Sequence, residues 1–486
     1  MTTEQILINV APGETRVAFL EKDRLNGLVL SRAGQESLVG NIYLGRVTAV
    51  LDGLQAAFVE IGMERAGFLA LADLRPLGEN NKRDDKRRDQ IANYVSEGDA
   101  ITVQVLRDPE EDKGAKLTAR VTLTDRDMIF GPDQSGVTLS RRINDTAERE
   151  RLSKLMETAV PEGAKGGFVM RTAAQEAEDE DLEAEVLHIM KRWEEIAAAR
   201  EAATAPACLM TELEPAFAAL RDFGGVDLEK VLVDDGDLFK RLQEFATENM
   251  HDLVDLIELH EGPALLFEAH GVEEMIDAAL SPVVPLPSGG NIIISETPAL
   301  TAIDVNTGAN TGGGRENNAL NTNEEAAIEL ANQTQLRNLS GLLIVDFVSM
   351  RRRDNQEKLH QTLRKAMGTD PLRPHVVGFT KLGLAEMTRR RRGPSLSEIL
   401  AGDMAGPIKS AESMALEVLR SVLREAAASP SAAFTVHAAP DVIEALGGAA
   451  EAGLKGVEGR LGSSLTLHPE ADFKRESYHV VKTGSE

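Results

Sequence analysis

Residues 300–350 read LTAIDVNTGANTGGGRENNALNTNEEAAIELANQTQLRNLSGLLIVDFVSM, and their pattern predicts a strand, a loop, a helix and a second strand. In TAIDVN, apolar and polar residues alternate, so we expect Asp304 and Asn306 to share one face of the first strand. GLLIVDFV, residues 341–348, is a continuous apolar run, which favours a strand covered on both faces. Asp346 lies near its end, and a carboxylate buried there would need a cation or a hydrogen-bond network.

The segment between these strands predicts a glycine-rich loop followed by a helix. Gly308 and the glycines 312–314 match neither a Walker loop nor a dinucleotide fingerprint, so a flexible loop is favoured over a phosphate cradle. The helix is expected over residues 322–339, TNEEAAIELANQTQLRNL. Thr322 or Asn323 would cap its start, and the two glutamates that follow would lie in its positive first turn.

This order of elements predicts a metal site at one edge of a sheet. With a right-handed crossover the two strands are parallel, which places Asp304, Asn306 and Asp346 where open α/β sheets bind ligands. Oxygen ligands of this kind suit a hard cation such as Mg²⁺ or Mn²⁺. On spacing alone, hydrogen-bonded aspartates at strand ends are an equal alternative, and a turn-forming role competes for Asn306.

Length and composition predict a multidomain globular protein. The chain has 486 residues, too many for one hydrophobic core, with 42% hydrophobic and 27% charged residues. No apolar run is long enough to span a bilayer and the N-terminus lacks a signal-peptide pattern, so we expect a cytoplasmic protein without a membrane segment. The single Cys208 excludes intrachain disulfides and multi-cysteine metal sites, in agreement with a reducing compartment.

The charge pattern is compatible with RNA despite a formal net charge of -26. Salt screens charges beyond about 8 to 10 Å, so local basic clusters matter more than the total. Arginines cluster at residues 141–142, 351–353 and 389–392, whereas residues 176–185 are acidic. We expect the two longer arginine runs to contact the RNA backbone, with a solvated helical face as an equal alternative.

The first 31 residues predict a small sheet that needs further strands. A hairpin over residues 5–10 and 15–20 and a third strand near residues 27–31 are too few to be stable alone. KVLVDD and DLIELH, between residues 206 and 280, favour strands that could complete this sheet. The region between would then be an insertion. A further helix is expected at residues 410–428, followed by a short α/β tail.

From Gly40 onward, short strands separated by glycines predict a small antiparallel barrel. The sequence there resembles an S1 domain, an RNA-binding barrel of the OB-fold class, through LGRV (44–47), AFV (57–59), Gly62 and GFL (67–69). We expect Phe58 and Phe68 on the surface as stacking platforms for bases and Tyr43 in the core. The alternative is that the phenylalanines fill the barrel interior.

Two basic motifs follow the barrel. GVTLSRRIND includes Arg141 and Arg142, and GGFVMRT ends in Arg171 and Thr172. A guanidinium fork beside a hydroxyl suits a terminal phosphate, although such a dipeptide alone is more often surface decoration. Helices are expected at residues 146–160 and 176–203.

Several motifs in order, SRRI, VMRT, AIDVNTG, LNTNEEAA, GLLIVDFVSM and FTKLGLAEMTRRR, resemble the ribonuclease E/G family of single-strand-specific endoribonucleases. The resemblance covers nearly the whole chain, and the length favours the ribonuclease G type. It implies a multidomain α/β fold with an RNase H-like subdomain formed by residues 1–36 and 214–280. An S1 (OB-fold) β-barrel at residues 37–125 and a 5′-sensor region at 126–213 would be inserted in it. A DNase I-like catalytic subdomain at 281–402 and a small C-terminal α/β domain at 403–486 would follow.

The resemblance also implies an activity. The protein would be a Mg²⁺-dependent endoribonuclease, with Mn²⁺ as an alternative, acting on single-stranded RNA in rRNA processing and mRNA decay. It would hydrolyse phosphodiester bonds and be stimulated by a 5′-monophosphate. The implied site residues are the metal-binding Asp304 and Asp346, the orienting Asn306, the 5′-phosphate sensor Arg171, Thr172, Arg141 and Arg142, and the RNA-binding Phe58, Phe68 and Lys113.

One motif of the family is missing. The CPxC zinc link should follow MTRRRRGPSLSEIL, after an arginine-rich helix, but the chain continues AGDMAGPIKS. No zinc is therefore expected, and zinc-linked dimerisation is excluded, while a homo-oligomer built through other surfaces stays open. Two other functions remain as alternatives: a non-catalytic S1-type RNA-binding or ribosome-associated protein, and, more weakly, a metal-dependent phosphatase.

Overall fold

The structure is a computed structural model that describes residues 3–74, 90–110, 112–175, 177–225, 227–262, 264–308, 314–391, 393–402, 407–429 and 432–483. The chain forms two compact units. One consists of Ser37–Gly225, and the other combines Met1–Glu36 with Val226–Glu486. Within the described part of the chain, no helix has the length and apolar character needed to cross a membrane.

The chain begins with a three-stranded antiparallel meander of β1 (Gln5–Ala11), β2 (Glu14–Glu21) and β3 (Arg24–Arg32). Gly13 occupies the first turn with φ of 85°, a conformation that favours glycine. The hairpin and the third strand are therefore found where the sequence predicted them.

The Ser37–Gly225 unit contains a closed barrel, as predicted. Its strands follow the order β4-β5-β6-β8-β7, and β7 pairs back onto β4. All neighbours are antiparallel except β6 and β8, which are parallel. This five-stranded closure is consistent with the OB-fold expected of an S1 domain. The elements are β4 (Ile42–Leu51), β5 (Ala56–Glu60), β6 (Gly67–Ala70), the short α1 (Leu71–Leu74), β7 (Ala100–Arg107) and β8 (Lys116–Thr118).

A second sheet in the same unit has the order β11-β12-β10-β9. Two helices pack on it through a core that includes Phe130, Phe168 and Met156. Its first helix is capped by Asp145, whose carboxylate accepts hydrogen bonds from two backbone N–H groups. The elements are β9 (Leu123–Thr124), β10 (Met128–Gly131), β11 (Gly136–Leu139), α2 (Thr146–Ala159), β12 (Gly167–Met170) and α3 (Asp179–Ala202). β13 (Ala207–Met210), which follows α3, pairs antiparallel with β4 of the barrel, and α4 (Pro215–Phe223) ends this unit.

In the other unit, two later strands complete the N-terminal sheet in the order β15-β14-β1-β2-β3. β14 (Lys230–Val233) lies parallel to β1, with Val231 opposite Ile6, and β15 (Ile257–Leu259) lies parallel to β14. The prediction that KVLVDD and DLIELH complete the sheet is thus confirmed. The associated helices are α5 (Gly236–Asn249), α6 (Leu266–Ala269) and α7 (Val272–Leu280).

A six-stranded sheet of the order β16-β17-β18-β19-β21-β20 follows, and it carries the stretch quoted above. β18 and β19 are parallel and are joined through α8, which confirms the predicted strand, helix, strand unit. Helices α8 and α9 both cover the face of the sheet that presents Ile303, Val305 and Val345. The elements are β16 (Val283–Pro285), β17 (Asn291–Glu296), β18 (Thr301–Asn306), α8 (Arg315–Leu336), β19 (Gly341–Asp346), α9 (Arg353–Met367), β20 (His375–Phe379) and β21 (Ala385–Arg389).

Two predictions for this region were wrong. β19 is covered on one face only: Leu342 is 39% exposed and Asp346 is exposed as well. An apolar run shows that a strand is hydrophobic, but it does not show whether one or both of its faces are covered. Here helices α8 and α9 both lie on the same face of the sheet. The helix also begins at Arg315 instead of residue 322, so Thr322 and Asn323 are buried within it and cap nothing. Of the predicted loop glycines, 312 and 313 lie outside the described residues.

Of the arginine run at residues 389–392, the described residues 389–391 do not form a helical face, and Arg389 is not available to RNA. Arg389 ends strand β21 and is 6% exposed, because the two-residue period of the strand turns it toward the covered face with Met387. Its Nε donates to Asp370 Oδ2 at 2.6 Å, and its Nη1 donates to a backbone carbonyl. The Arg391 side chain pairs with Glu398, and residue 392 is outside the described range.

The chain ends in a small α/β layer with its own core and the sheet order β23-β22-β24. The helix predicted at residues 410–428 is confirmed, with Ser410 as its N-cap. The elements are α11 (Ala411–Ala428), β22 (Ala433–Ala438), α12 (Pro440–Leu446), α13 (Glu451–Leu461), β23 (Thr466–Pro469) and β24 (Tyr478–Thr483). The preceding helix α10 (Leu396–Ala401) packs instead in the core of the N-terminal sheet.

Candidate active site

Asp304 and Asp346 face each other across two neighbouring strands. They are register partners in the parallel pair β18 and β19, whose backbones lie about 4.8 Å apart. Because Ile303, Val305 and Val345 fill the core, the two carboxylates project from the opposite face, where both are exposed. Asn306 lies on the same face and its Nδ2 donates to Asp304 Oδ2 at 2.8 Å. The structure thus brings together all three side chains singled out in this stretch.

A fourth polar side chain adjoins this group. Asn291 on β17 is the register partner of Asn306, and Asn306 Nδ2 lies 3.4 Å from its Oδ1. The neighbouring loops approach very closely: a Cβ on Gly308 would lie 2.1 Å from the carbonyl oxygen of Gly289. Only glycine fits there, and Gly308 also has φ of +59°. Asn291 was not predicted: it is the first residue of β17, before the buried Ile292 and Ile294, and the sequence shows it only as the polar end of an apolar run.

The backbone that follows Asp346 is fixed by helix α8. Asn323, fully buried, donates from Nδ2 to the carbonyl of Val348 at 2.8 Å, and its Oδ1 accepts the Val348 N–H at 2.9 Å. Glu316 accepts hydrogen bonds from the N–H groups of Arg352 and Arg351 at 2.9 and 3.1 Å, and these bonds lower the pKa of its carboxyl. Asn323, predicted as a possible helix cap, therefore holds the loop beside Asp346 in place. We call its two hydrogen bonds to Val348 the clamp.

The donor set fits a hydrated hard cation. Among the described residues there is no group of three or more His, Cys, Asp or Glu side chains that could hold a metal ion. The pair Asp304 and Asp346, with the amide of Asn306, offers oxygen donors on an open face. Mg²⁺ is commonly held by one or two carboxylates while water and substrate phosphate fill its other positions. The residues present are suited to that mode of binding.

A second polar site lies at one edge of the four-stranded sheet. β11 and β12 are parallel, with Leu139 opposite Met170, so the segments after them leave the sheet side by side. Ser140 Oγ and Thr172 Oγ1 lie 3.1 Å apart, and the N–H of Arg142 donates to Ser140 Oγ at 3.3 Å. The side chains of Arg141 and Arg142 are exposed. The structure therefore groups the two basic motifs and adds Ser140, which was not predicted.

Arg171 is anchored at this edge by backbone groups and faces an acidic side chain. Its N–H donates to the carbonyl of Asp127, and its Nη1 donates to the carbonyl of Asp125, both at 2.7 Å. The same Nη1 lies 3.3 Å from Oδ1 of Asp222, on helix α4. The Arg171 side chain is 26% exposed. Arg171 is thus held at a fixed place with its side chain partly open to solvent.

Acidic side chains lie behind Arg171. Glu185 on α3 accepts hydrogen bonds from the N–H groups of Asp127 and Met128 at 3.0 and 3.1 Å. Burial first, and then repulsion from Asp125 and Asp127, raises the pKa of Glu185 to about 9. Glu185 therefore keeps a proton in the folded protein at neutral pH.

The barrel presents a pair of aromatic side chains. Phe58 and Phe68 are register partners on β5 and β6, both are partly exposed, and their ring centroids lie 6.1 Å apart at 69°. Tyr43 is 4% exposed and belongs to the barrel core, as predicted. Lys113 is exposed in the connection between β7 and β8, with Nζ 3.8 Å from Glu110 Oε2. Lys116, which was not singled out, lies opposite Phe68.

Comparison with known proteins agrees with this architecture. A model of the ribonuclease E/G family matches residues 122–392. A protein named ribonuclease G from Salmonella typhimurium is 36% identical over 488 residues, covering 99% of each chain. One of the same name from Haemophilus influenzae is 37% identical over 492 residues, covering 99% of this chain and 100% of the relative. A ribonuclease E from Haemophilus influenzae is 34% identical over 431 residues, covering 87% of this chain and 46% of the relative.

These matches define the class of protein as an endoribonuclease. The chain belongs to the ribonuclease E/G family, and both relatives named above that match over nearly the full length carry the name ribonuclease G.

The clamp on Val348 generates a prediction. Asn323→Ala removes both hydrogen bonds and loosens the backbone two residues after Asp346. If Asp346 holds Mg²⁺, the Mg²⁺ concentration for half-maximal RNA cleavage should rise about tenfold, as it does when other groups that orient metal ligands are lost. The matched control is Asn41→Ala, because Asn41 is also buried and its Oδ1 accepts a backbone N–H, but in the other unit. It should lower the melting temperature without changing the Mg²⁺ dependence; equal Mg²⁺ curves for Asn323→Ala and the wild type would contradict the role of the clamp.

Glu185 generates a prediction on pH. The pKa of Glu185 is about 9 in the folded protein and 4.5 ordinarily, so folding takes up a proton between about pH 4.5 and pH 9. The free energy of unfolding therefore falls as the pH rises through this range. Glu185→Gln keeps an acceptor for the two N–H groups and removes the ionisation. At about 1.4 kcal/mol per pH unit, the variant should gain on the order of 4 to 5 kcal/mol more stability at pH 8.5 than at pH 5, measured by thermal unfolding. Glu183→Gln, an exposed change on the same helix, is the control, and an equal gain at both pH values argues against the assignment.

Proposed function

We propose that this protein is a Mg²⁺-dependent endoribonuclease that cleaves single-stranded RNA by phosphodiester hydrolysis, with Mn²⁺ as an alternative ion. The observation that carries the proposal is the register pairing of Asp304 with Asp346 on an open sheet face, with Asn306 bonded to Asp304. Two carboxylates about one strand spacing apart repel each other unless a cation lies between them. An exposed face leaves room for an extended polymer as the substrate.

In the proposed reaction Asp304 and Asp346 hold the ion, and two carboxylates favour one ion over two. The Asn306 amide holds Asp304 in orientation through its 2.8 Å hydrogen bond, and Asn291 supports Asn306 from the next strand. A bound Mg²⁺ supplies Lewis acidity, polarising the scissile phosphate and lowering the pKa of an attacking water. Asn323 keeps the chain after Asp346 in place while the substrate binds.

The barrel supports single-stranded RNA as the substrate. Phe58 and Phe68 present partly exposed rings on neighbouring strands, and each ring offers a surface for one base of a single strand. Lys113 is exposed two residues before Ala115, whose carbonyl accepts the N–H of Phe68, and adds a cation for a phosphate. We propose these three as the RNA-binding residues of the barrel.

The edge of the four-stranded sheet supports a 5′-end sensor. Arg171 offers a guanidinium fixed by backbone carbonyls, and Thr172 and Ser140 add hydroxyls 3.1 Å apart. Such a set suits the three acceptor oxygens of a terminal phosphate. Arg141 and Arg142, exposed on the adjacent segment, add positive charge. We propose that a 5′-monophosphate bound there stimulates cleavage.

The domain organisation, biological role and assembly of the protein belong to the same proposal. We propose the five-part division into RNase H-like, S1, 5′-sensor, DNase I-like and small C-terminal regions at the boundaries predicted from sequence. Cytoplasmic rRNA processing and mRNA decay are the proposed processes. Assembly without a zinc link stays a prediction, because no cysteine lies where the family motif would place it.

The acid pair is tested by Asp304→Asn and Asp346→Asn. Each variant should reduce cleavage of an end-labelled single-stranded RNA at least a thousandfold, on the order of the loss of one group essential to catalysis, while RNA affinity stays within about threefold. Removal of Mg²⁺ with a chelator should stop the wild type. Glu357→Gln, an exposed carboxylate on α9, is the control and should cleave normally.

Retained cleavage in either aspartate variant overturns the metal assignment. The same assay separates the alternative, a non-catalytic S1-type RNA-binding protein, because that protein would bind RNA with or without metal and the pure wild type would not cleave it.

The sensor is tested with two RNAs that differ only in carrying a 5′-monophosphate or a 5′-hydroxyl. The wild type should cut the monophosphorylated RNA faster, and Arg171→Ala should remove the difference, because the guanidinium is the group that recognises the phosphate charge. Arg200→Ala, an exposed arginine of the same unit, should keep it. Equal rates for the two RNAs in the wild type would remove the sensor from the proposal.

A further inference from the structure

The Asp222 carboxylate contacts the Arg171 side chain, to which the 5′-phosphate is proposed to bind. Asp222, on helix α4 of the same unit, places Oδ1 3.3 Å from Nη1 of Arg171. Both side chains are partly exposed, at 34% and 26%. The contact is therefore open to solvent on one side, and an incoming anion can reach it. A carboxylate and a phosphate oxygen compete for the same guanidinium hydrogens.

Asp222 has a second partner that does not depend on Arg171. Arg221, 8% exposed, directs Nη2 to Asp222 Oδ2 at 3.1 Å and Nε to Oδ1 at 3.3 Å. Arg221 is itself held by Glu212, whose Oε1 accepts from Nη1 at 2.7 Å. Asp222 can therefore release Arg171 without being left unpaired, which keeps the cost of the exchange small.

Arg171 likewise keeps an anchor when Asp222 leaves. Its Nη1 still donates to the carbonyl of Asp125 at 2.7 Å, and its own N–H stays bonded to Asp127. The guanidinium thus stays near its present place while its carboxylate partner changes. A phosphate monoester with a charge of about -1.5 to -2 and three acceptor oxygens can displace a single carboxylate charge. A hydroxyl carries no charge and cannot displace it.

We propose that Asp222 competes with the RNA 5′ end for Arg171 and so limits how tightly the sensor holds a terminal phosphate. The inference rests on the proposed sensor and assigns this role to a residue of helix α4. In the absence of a 5′-phosphate, Asp222 neutralises Arg171. A terminal monophosphate exchanges with Asp222, which then remains on Arg221. The exchange breaks and forms only ion pairs, so charge and atoms balance without a further reactant.

The test compares wild type with Asp222→Asn, which keeps the shape of the side chain and removes its charge. KM is measured for 5′-monophosphorylated and 5′-hydroxyl RNA of the same sequence. The KM for 5′-hydroxyl RNA divided by the KM for 5′-monophosphorylated RNA should widen, rising about two- to fivefold in the variant. The 5′-phosphate then no longer has to displace an exposed ion pair of this kind. The widening should shrink as salt is raised, because exposed charges are screened.

Two controls separate this effect from a general change in α4. Glu212→Gln weakens the support of Arg221 but leaves the Asp222 contact with Arg171 in place, so the KM ratio should stay at the wild-type value. In the Arg171→Ala background, Asp222→Asn should have no effect on the ratio, because the two residues then no longer interact.

The outcomes distinguish this inference from the sensor itself. If the wild type does not discriminate between the two RNAs, the sensor is wrong. If the wild type discriminates but Asp222→Asn leaves the ratio unchanged, or narrows it, the competition is wrong; a narrowed ratio would make Asp222 a support for Arg171. A widened ratio that Glu212→Gln reproduces would place the effect in Arg221 and also overturns the inference.

Discussion

The parallel pairing of β18 with β19 is the constraint on which the candidate chemistry depends. Its register sets Asp304 directly opposite Asp346, so the two carboxylates share a face at the spacing of neighbouring strands. A shift of one residue would turn one carboxylate into the core. The covered face, packed against α8 and α9, holds that register through Ile303, Val305 and Val345. The buried side of the sheet thus determines the geometry of its exposed side.

Helix α8 links packing to the site. Its apolar residues cover the sheet, and its polar residues Asn323 and Glu316 bind the backbone after Asp346. A buried amide that bonds both the N–H and the carbonyl of one residue leaves neither polar group unsatisfied. The same helix therefore stabilises the core and positions the loop beside the acid pair. Arg389, at the end of β21, is likewise held by a hydrogen bond, which its Nε donates to Asp370. This bond explains why an arginine lies on a covered face.

Electrostatics in the Ser37–Gly225 unit follow a different rule. The Asp222 carboxylate contacts Arg171 directly, whereas Asp125 holds it through a backbone carbonyl. Because the chain has a net charge of -26, a single arginine recognises an anion only where neighbouring carboxylates do not fully neutralise it. Backbone carbonyls fix Arg171 without fully neutralising it, and Asp222 can be exchanged. Selective recognition of a terminal phosphate is compatible with an acidic protein on these terms.

Sequence alone determined the strand, helix, strand unit, the shared face of Asp304 and Asn306, the barrel and the completion of the N-terminal sheet. Periodicity and the handedness of crossovers are local rules, which is why they sufficed. Tertiary structure decided that β19 has one covered face, that Asn323 clamps Val348, that Arg389 is buried and that Asp222 reaches Arg171. These contacts join residues distant in the chain, 51 positions apart for Arg171 and Asp222, and no local pattern encodes which side chains will meet.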